Sequence, residues 1–386
     1  MASFGPRAAL AAGKLLEPGG GVRGSASREE MVGWALPSVE RAMARIDFQL
    51  FDPLLSDAEA QAMLRLCERH GRYGTYAEEA IEDDFAGDLA QRYDAALNFV
   101  QTGGRFGRKD SIAKLAARTN YFRETYVYDE TLVPGIEPFL HHAGFQEAAR
   151  QLYGREIVRP SIVYANLLIP GQELAIHTDV PEFRGVNRKR DPQWLIVAMH
   201  HSRLFERWRM PIATGVAWFG NPEGGDFAFY PEGPWGAPVA LPVRHNTAIL
   251  LDTDSVFHGV DRVAESRVPM PDLKPGMQLS YEGDDRWSLA CGDEVLARYA
   301  FSDLRFSISW KAYCYADEAE ERLVREHRDD LTRARVLELL VADLRRRGRI
   351  TDAVPSEPDL ALLIIREYIQ YPPPAPGLDT GARATA

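Results

Sequence analysis

The sequence predicts an α+β protein with an antiparallel jelly-roll core and helices flanking it at both ends. Two observations carry this. Short apolar or alternating runs recur through the middle of the chain, separated by Gly- and Pro-containing turns, which is the pattern of an antiparallel barrel or jelly roll. Helical periodicity lies mainly outside that region, before residue 154 and after residue 316.

Taken in order, residues 46–70 begin with an alternating strand. It runs into Ser56-Asp57-Ala58-Glu59, a capping-box spacing, and a helix with Met63, Leu64 and Cys67 on one face. Residues 76–150 read as mostly helical and irregular, and Phe145–Tyr153 as a short helix stopped at Gly154. Residues 157–180 give a strand, a Pro170-Gly171 turn and a second strand holding His177 and Asp179. Further strands follow at 214–220, 224–230 and 247–252, and a cleanly alternating one at Leu304–Trp310.

Two insertions interrupt the strands. Asp191-Pro192 reads as an N-cap with Pro at N1, opening a helix over about 192–209 along Trp194, Val197, Ala198, His201, Leu204, Phe205 and Trp208. Residues 269–303 read as a small β-meander with turns at Gly283-Asp284-Asp285 and Cys291-Gly292-Asp293. Residues 317–346 and 356–370 are helical by periodicity, and Leu337, Leu339, Leu340 and Leu344 suit a core or an interface equally. The expected organisation is an N-terminal extension (1–45), a jelly-roll domain (46–315) with insertions near 186–211 and 269–303, a helical extension (316–371) and a disordered tail (372–386).

Composition narrows the function classes. With 45% hydrophobic and 26% charged residues the chain is an ordinary soluble globular protein. A net charge of −11 argues against bulk nucleic-acid binding and against an anionic membrane surface. Cys67, Cys291 and Cys314 are odd in number and far apart, which speaks against a disulfide framework and a structural zinc. A reducing, cytoplasmic setting is expected. No apolar run reaches the roughly 18 residues of a transmembrane helix. Residues 1–28, rich in Ala, Gly and Ser with four basic residues and one acidic, read as a disordered N-terminus, with a transit peptide as the alternative.

His177-Thr-Asp179 and His258, 79 residues further on, are the most informative residues. Alternate residues of a strand share a face, so His177 and Asp179 aim into one pocket. Two imidazoles and a carboxylate on one face of a metal make the facial triad of non-haem Fe(II) oxygenases.

Strands and ligands together resemble the Fe(II)/2-oxoglutarate-dependent oxygenase superfamily, nearest its prolyl-hydroxylase-like branch, from about Phe48 to Tyr313. The resemblance rests on the opening strand and helix, Tyr164, Pro170-Gly171, His177-Thr-Asp179, Gly224-Gly225-Asp226, His258-Gly-Val260 and Arg305-Phe-Ser307. It implies a double-stranded β-helix (jelly roll, cupin-like), Fe(II) on His177, Asp179 and His258, and 2-oxoglutarate and O2 as co-substrates. Arg305 then binds the far carboxylate of 2-oxoglutarate in a bidentate fork, with Ser307, Tyr164 and Asn166 as further contacts. Two spacings depart from the pattern, Asp179 to His258 and the 47 residues between His258 and Arg305. Arg267 has the more usual spacing after the distal His, but Arg305 has the strand pattern and is preferred.

The implied reaction is hydroxylation of an unactivated C–H bond of a small molecule, such as an amino-acid derivative or a natural-product intermediate, with succinate and CO2 as co-products. The retained Asp179 favours this over halogenation. Peptide side-chain hydroxylation, a cosubstrate-independent cupin and a non-catalytic metal-binding module are the alternatives, and a nucleic-acid substrate is disfavoured by the charge. A basic run, Arg184, Arg188, Lys189, Arg190, Arg203, Arg207 and Arg209, surrounds the insertion helix. It reads as a solvated face or as a lid, with Arg203 and Arg207 recognising an anionic substrate. No metal role is expected for His200 or His201.

Overall fold

The computed structural model describes residues 47–75, 93–107 and 121–374 apart from 275 and 352. The predicted extension at 1–45 and the tail beyond 374 lie outside the described residues. In chain order the elements are β1 (Phe48–Phe51), α1 (Asp57–His70), β2 (Arg72–Thr75), α2 (Tyr93–Thr102), β3 (Phe122–Tyr128), β4 (Glu130–Thr131), α3 (Glu137–Leu140), α4 (Ala143–Tyr153), β5 (Ile157–Leu168), β6 (Leu174–His177), β7 (Glu182–Phe183) and α5 (Gln193–Ser202). There follow β8 (Arg209–Met210), β9 (Ile212–Phe219), β10 (Phe227–Phe229), β11 (Val239–Leu241), β12 (Thr247–Leu251), β13 (His258–Val260), β14 (Met277–Gly283), β15 (Arg286–Cys291), β16 (Glu294–Ala300), β17 (Arg305–Tyr315), α6 (Glu318–Arg325), α7 (Arg333–Arg346) and α8 (Glu357–Tyr368).

The core strands are β5, β6, β9–β13 and β17. They lie as β12-β9-β17-β5 within the large sheet and as β11-β10-β13-β6 in the small one. Numbered along the chain from β5, these are strands six, three, eight and one, facing five, four, seven and two. That is the double Greek key of a jelly roll, and every core pairing is antiparallel. Beyond the core, β1 extends the large sheet next to β12, and β3, β2 and β14–β16 extend it beyond β5.

The period of two along β17 organises the packing. Phe306, Ile308, Trp310 and Ala312 enter the apolar layer shared with Met63, Leu66 and Cys67 of α1 and Phe145 of α4. The alternate residues Arg305, Ser307, Ser309 and Lys311 face the opposite way, into a cavity between the two sheets. Below that cavity Val216, Trp218, Ile249 and Leu251 of the large sheet meet Phe227 and Phe229 of the small one and hold the sheets together. The capping box closes the start of α1 as expected, Ser56 accepting from the Glu59 amide, and Gly154 ends α4 at φ 60.

Several boundaries depart from expectation. Phe122–Tyr128 is a strand, β3, paired with β5; its mixture of polar and aromatic residues concealed the alternation. Asp179 lies two residues beyond the end of β6. The helical stretch 317–346 is two helices, and Leu340 and Leu344 of the second are core. The meander is β14–β16, with Gly283, Asp284, Asp285 and Gly292 all at positive φ in its turns.

The insertion helix changes most. It begins at Gln193 with Pro192 as N-cap rather than Asp191, and ends at Ser202 with Arg203 left-handed at φ 60. Gln193 to His200 are all buried. An apolar helix of this kind is a core element rather than an amphipathic cover. Leu340 and Leu344 of α7 and Leu360, Ala361, Ile364 and Ile365 of α8 form one cluster with it, so the C-terminal helices close over the insertion.

Gly259 is the middle residue of β13, next to His258. A Cβ there would lie 2.6 Å from the Leu174 carbonyl oxygen and 2.9 Å from Ile176 Cδ1. Gly259→Ala is therefore expected to push β13 off β6, at a cost of about 1–3 kcal/mol, and to weaken Mn(II) binding. A melting curve and a Mn(II) titration check this, and wild-type values in both would refute it.

Candidate metal centre

His177 and His258 are cross-strand partners in β6 and β13, with ring centroids 4.5 Å apart. Asp179 reaches the same point from the turn after β6, where its amide donates to the Thr253 carbonyl at 2.9 Å. Its Oδ1 lies 3.8 Å from Nε2 of each histidine. The three ligand atoms fall within 4.8 Å of one another, and no other such group is found among the described residues.

The tautomers follow from the outer contacts. His177 Nδ1 is 2.8 Å from the Ala175 carbonyl and His258 Nδ1 is 2.9 Å from the Val256 carbonyl. A carbonyl only accepts, so each Nδ1 carries the proton and each Nε2 presents a lone pair to the centre. Burial alone would raise the Asp179 carboxyl, but the charge of the Lys311 ammonium first, and of the two imidazoles when they are protonated, outweighs it and holds the group well below the usual carboxylate range. The donor set is thus two neutral imidazoles and an ionised carboxylate, which suits a borderline divalent metal such as Fe(II).

These ligands open into a cavity of about 220 Å³. Arg305 is one of its walls, 2% exposed. Its Nε donates to the Gly225 carbonyl at 2.7 Å and its Nη1 to Ser307 Oγ at 3.4 Å, while Nη2 has no hydrogen-bond partner among the described residues. Burial, only partly offset by Asp226, pulls this guanidinium down to about 9, still protonated at neutral pH. A buried cation with an unused donor fits an incoming carboxylate. The Gly224-Gly225 pair makes room for it: Gly225 has φ +71, and a Cβ there would meet Arg305 Cδ at 2.8 Å.

Tyr164 and Asn166 of β5 also line the cavity. Asn166 Nδ2 donates to Ser309 Oγ at 3.2 Å, and the Tyr164 hydroxyl accepts from Arg188 at 2.6 Å. Arg267 is exposed and does not line the cavity.

Of the basic run, Arg188 alone reaches the cavity wall among the described residues. Arg203 and Arg207, expected to recognise substrate, do not line the cavity. Arg203 pairs with Glu206 at 3.0 Å, and Arg207 stacks on Trp208 at 4.0 Å. The reason is α5 itself: buried from Gln193 to His200, it carries Arg203 past its C-terminus into the connecting turn. His200 bonds Ser255 at 3.0 Å and His201 stacks on Phe257, and neither histidine lines the cavity.

The sequence reading missed Arg123, Thr214 and, above all, Lys311. Lys311 Nζ donates to Asp179 Oδ2 at 2.7 Å and to Thr214 Oγ1 at 3.0 Å. Following the alternation Arg305, Ser307, Ser309 one step past Trp310 would have found it.

No protein-family model and no curated protein matches the chain. Among solved structures it is similar to a prolyl-4-hydroxylase of Pseudomonas putida, with 11% identity over 71% of this chain and 95% of that one and a TM-score of 0.37. It is also similar to SnoK, a non-haem α-ketoglutarate-dependent carbocyclase of nogalamycin biosynthesis (11%, 78% and 91%, TM-score 0.37). HygX of Streptomyces hygroscopicus, solved with nickel, 2-oxoglutarate and hygromycin B bound, is a third (11%, 75% and 88%, TM-score 0.35). No helix among the described residues is long and apolar enough to cross a membrane.

Beside the centre, Asp254 is fully buried, and neither carboxylate oxygen has a hydrogen-bond partner among the described residues. Burial, reinforced by Asp252 and opposed by Lys311 and Arg209, lifts its carboxyl from 3.8 to about 7. The folded protein therefore keeps a proton that the unfolded chain releases between those values, and stability falls as pH rises through that window. Asp254→Asn is expected to flatten this slope and to add about 1–3 kcal/mol at pH 8. Melting curves at several pH values measure it, and a variant with the wild-type slope would contradict it.

Proposed function

We propose that the protein is an Fe(II)- and 2-oxoglutarate-dependent dioxygenase that hydroxylates an unactivated C–H bond of a small molecule, releasing succinate and CO2. One observation carries the reading. A facial set of two imidazole Nε2 atoms and one carboxylate oxygen shares a single cavity with a buried arginine that has an unused donor.

Iron with 2-oxoglutarate and O2 supplies the oxidising power for C–H cleavage. The chain's own residues bind, orient and exclude water. His177, Asp179 and His258 hold the metal on one side and leave the cavity side open. Arg305, kept in place by the Gly225 carbonyl and Ser307, takes the far carboxylate of the cosubstrate, with Ser307, Asn166 and Tyr164 beside it. Ile162, Leu168, Val216, Phe227 and Val260 give the cavity apolar walls that keep water from the reacting carbon. Arg123 and Arg188, both in contact with Tyr164, face the same space and favour a substrate with an anionic group. A cavity of about 220 Å³ between two sheets suits a small molecule better than a long peptide.

The reading is tested anaerobically. Metal-free protein receives Fe(II) and then 2-oxoglutarate while the visible metal-to-ligand charge-transfer band is followed, with His177→Ala and Arg305→Ala alongside. The band is expected to need both additions, to vanish in His177→Ala, and in Arg305→Ala to need roughly 10–100-fold more 2-oxoglutarate, the loss of a charge-assisted pair. No band from folded, iron-loaded protein would sink the proposal.

A further inference from the structure

Asp179 presents its two oxygens to different partners. Oδ1 faces both imidazole Nε2 atoms at 3.8 Å, and Oδ2 is taken by Lys311 Nζ at 2.7 Å. We propose that Lys311 is a positioning residue that restricts Asp179 to one-oxygen ligation and so keeps a coordination position open for the cosubstrate. The proposal rests on the metal reading above and extends it to a residue outside the ligand set.

The physical case begins with the carboxylate. Left to itself it can bind a cation through one oxygen or both. A facial triad leaves half of an octahedron open, and a chelating Asp179 would close one of those positions. An ammonium on Oδ2 competes directly with that second bond, since it is a compact charge with three donors.

Lys311 is itself held by a closed ring of contacts. Its Nζ donates to Thr214 Oγ1 at 3.0 Å, and Thr253 Oγ1 donates to the same oxygen at 2.7 Å. The Thr253 carbonyl in turn accepts the Asp179 amide at 2.9 Å. Backbone and side chain of the ligand residue are thus fixed by one network. It joins β17, β9 and the turn after β12, and both threonines are buried, at 2% and 1% exposure. Outer contacts of this kind orient metal ligands and tune what they bind.

A plain ion pair that serves stability predicts a loss of melting temperature and nothing more. The proposal predicts a change at the metal. Lys311→Met keeps most of the length of the side chain and removes the charge. With Mn(II) as the probe, water-proton relaxation counts the waters on the metal and titration gives the affinity for 2-oxoglutarate. In Lys311→Met the relaxation enhancement is expected to fall by about a third as Asp179 Oδ2 displaces a water, and the Kd for 2-oxoglutarate to rise roughly tenfold. Mn(II) affinity should hold or increase, and Lys311→Arg should restore most of the wild-type behaviour.

Thr214→Val removes only the hydroxyl that Lys311 donates to. It carries the same test, with smaller shifts in the same direction, should Lys311→Met fail to fold. Wild-type relaxation and cosubstrate affinity in a folded variant would overturn the proposal and leave the metal reading standing. A wild-type protein that binds no Mn(II) would overturn both.

Discussion

The pairing of β17 with β5 on one side and β9 on the other is the constraint on which the rest of the structure depends. Its eleven residues give alternate side chains to two environments that cannot mix: an apolar layer under α1 and α4, and a polar row on the cavity wall. A slip of one residue would send Arg305 and Lys311 into hydrocarbon and Phe306 and Trp310 into the cavity. Burying either cation without a partner costs far more than a displaced hydrogen bond. The register that fixes the core therefore also fixes the site, and neither can be adjusted without the other.

The small sheet contributes the complementary half. It is short, three residues in β10, β11 and β13, and by itself would be marginal. It is held by aromatic contacts to the large sheet and between its own rings. Phe227 packs against Trp218 on one side and against the His258 ring on the other. The imidazole that would bind metal is thus part of the layer joining the two sheets, so the orientation of the ligand and the spacing of the sheets share the same contacts.

How far the sequence could be read follows from where the governing interactions lie. The β17 alternation, the capping box before α1, the αL glycine after α4 and the turns of the meander are local, and each was legible from neighbouring residues. His177 and His258 were legible as a pair converging on one point because residue type and strand context point the same way. What could not be read depends on contacts distant in the chain. β3 is a strand because β5 offers it a hydrogen-bonding edge. α5 is buried from Gln193 to His200 because α7 and α8, more than a hundred residues later, cover the side expected to face water. Lys311 looked like an ordinary lysine after a tryptophan, and its meaning comes from Asp179, 132 positions away.

The strand order also has a consequence in time. In the large sheet β9 and β5 do not touch each other, since β17 lies between them. During synthesis His177, Asp179 and His258 emerge before the strand that separates β5 from β9. Until it arrives the sheet has an open slot with two unsatisfied edges, and the cavity lacks the wall bearing Arg305 and Lys311. The nascent chain can thus carry His177, Asp179 and His258 before it has the whole of the cavity they line. Closing that slot adds Arg305 and Lys311 to the wall that these three side chains share.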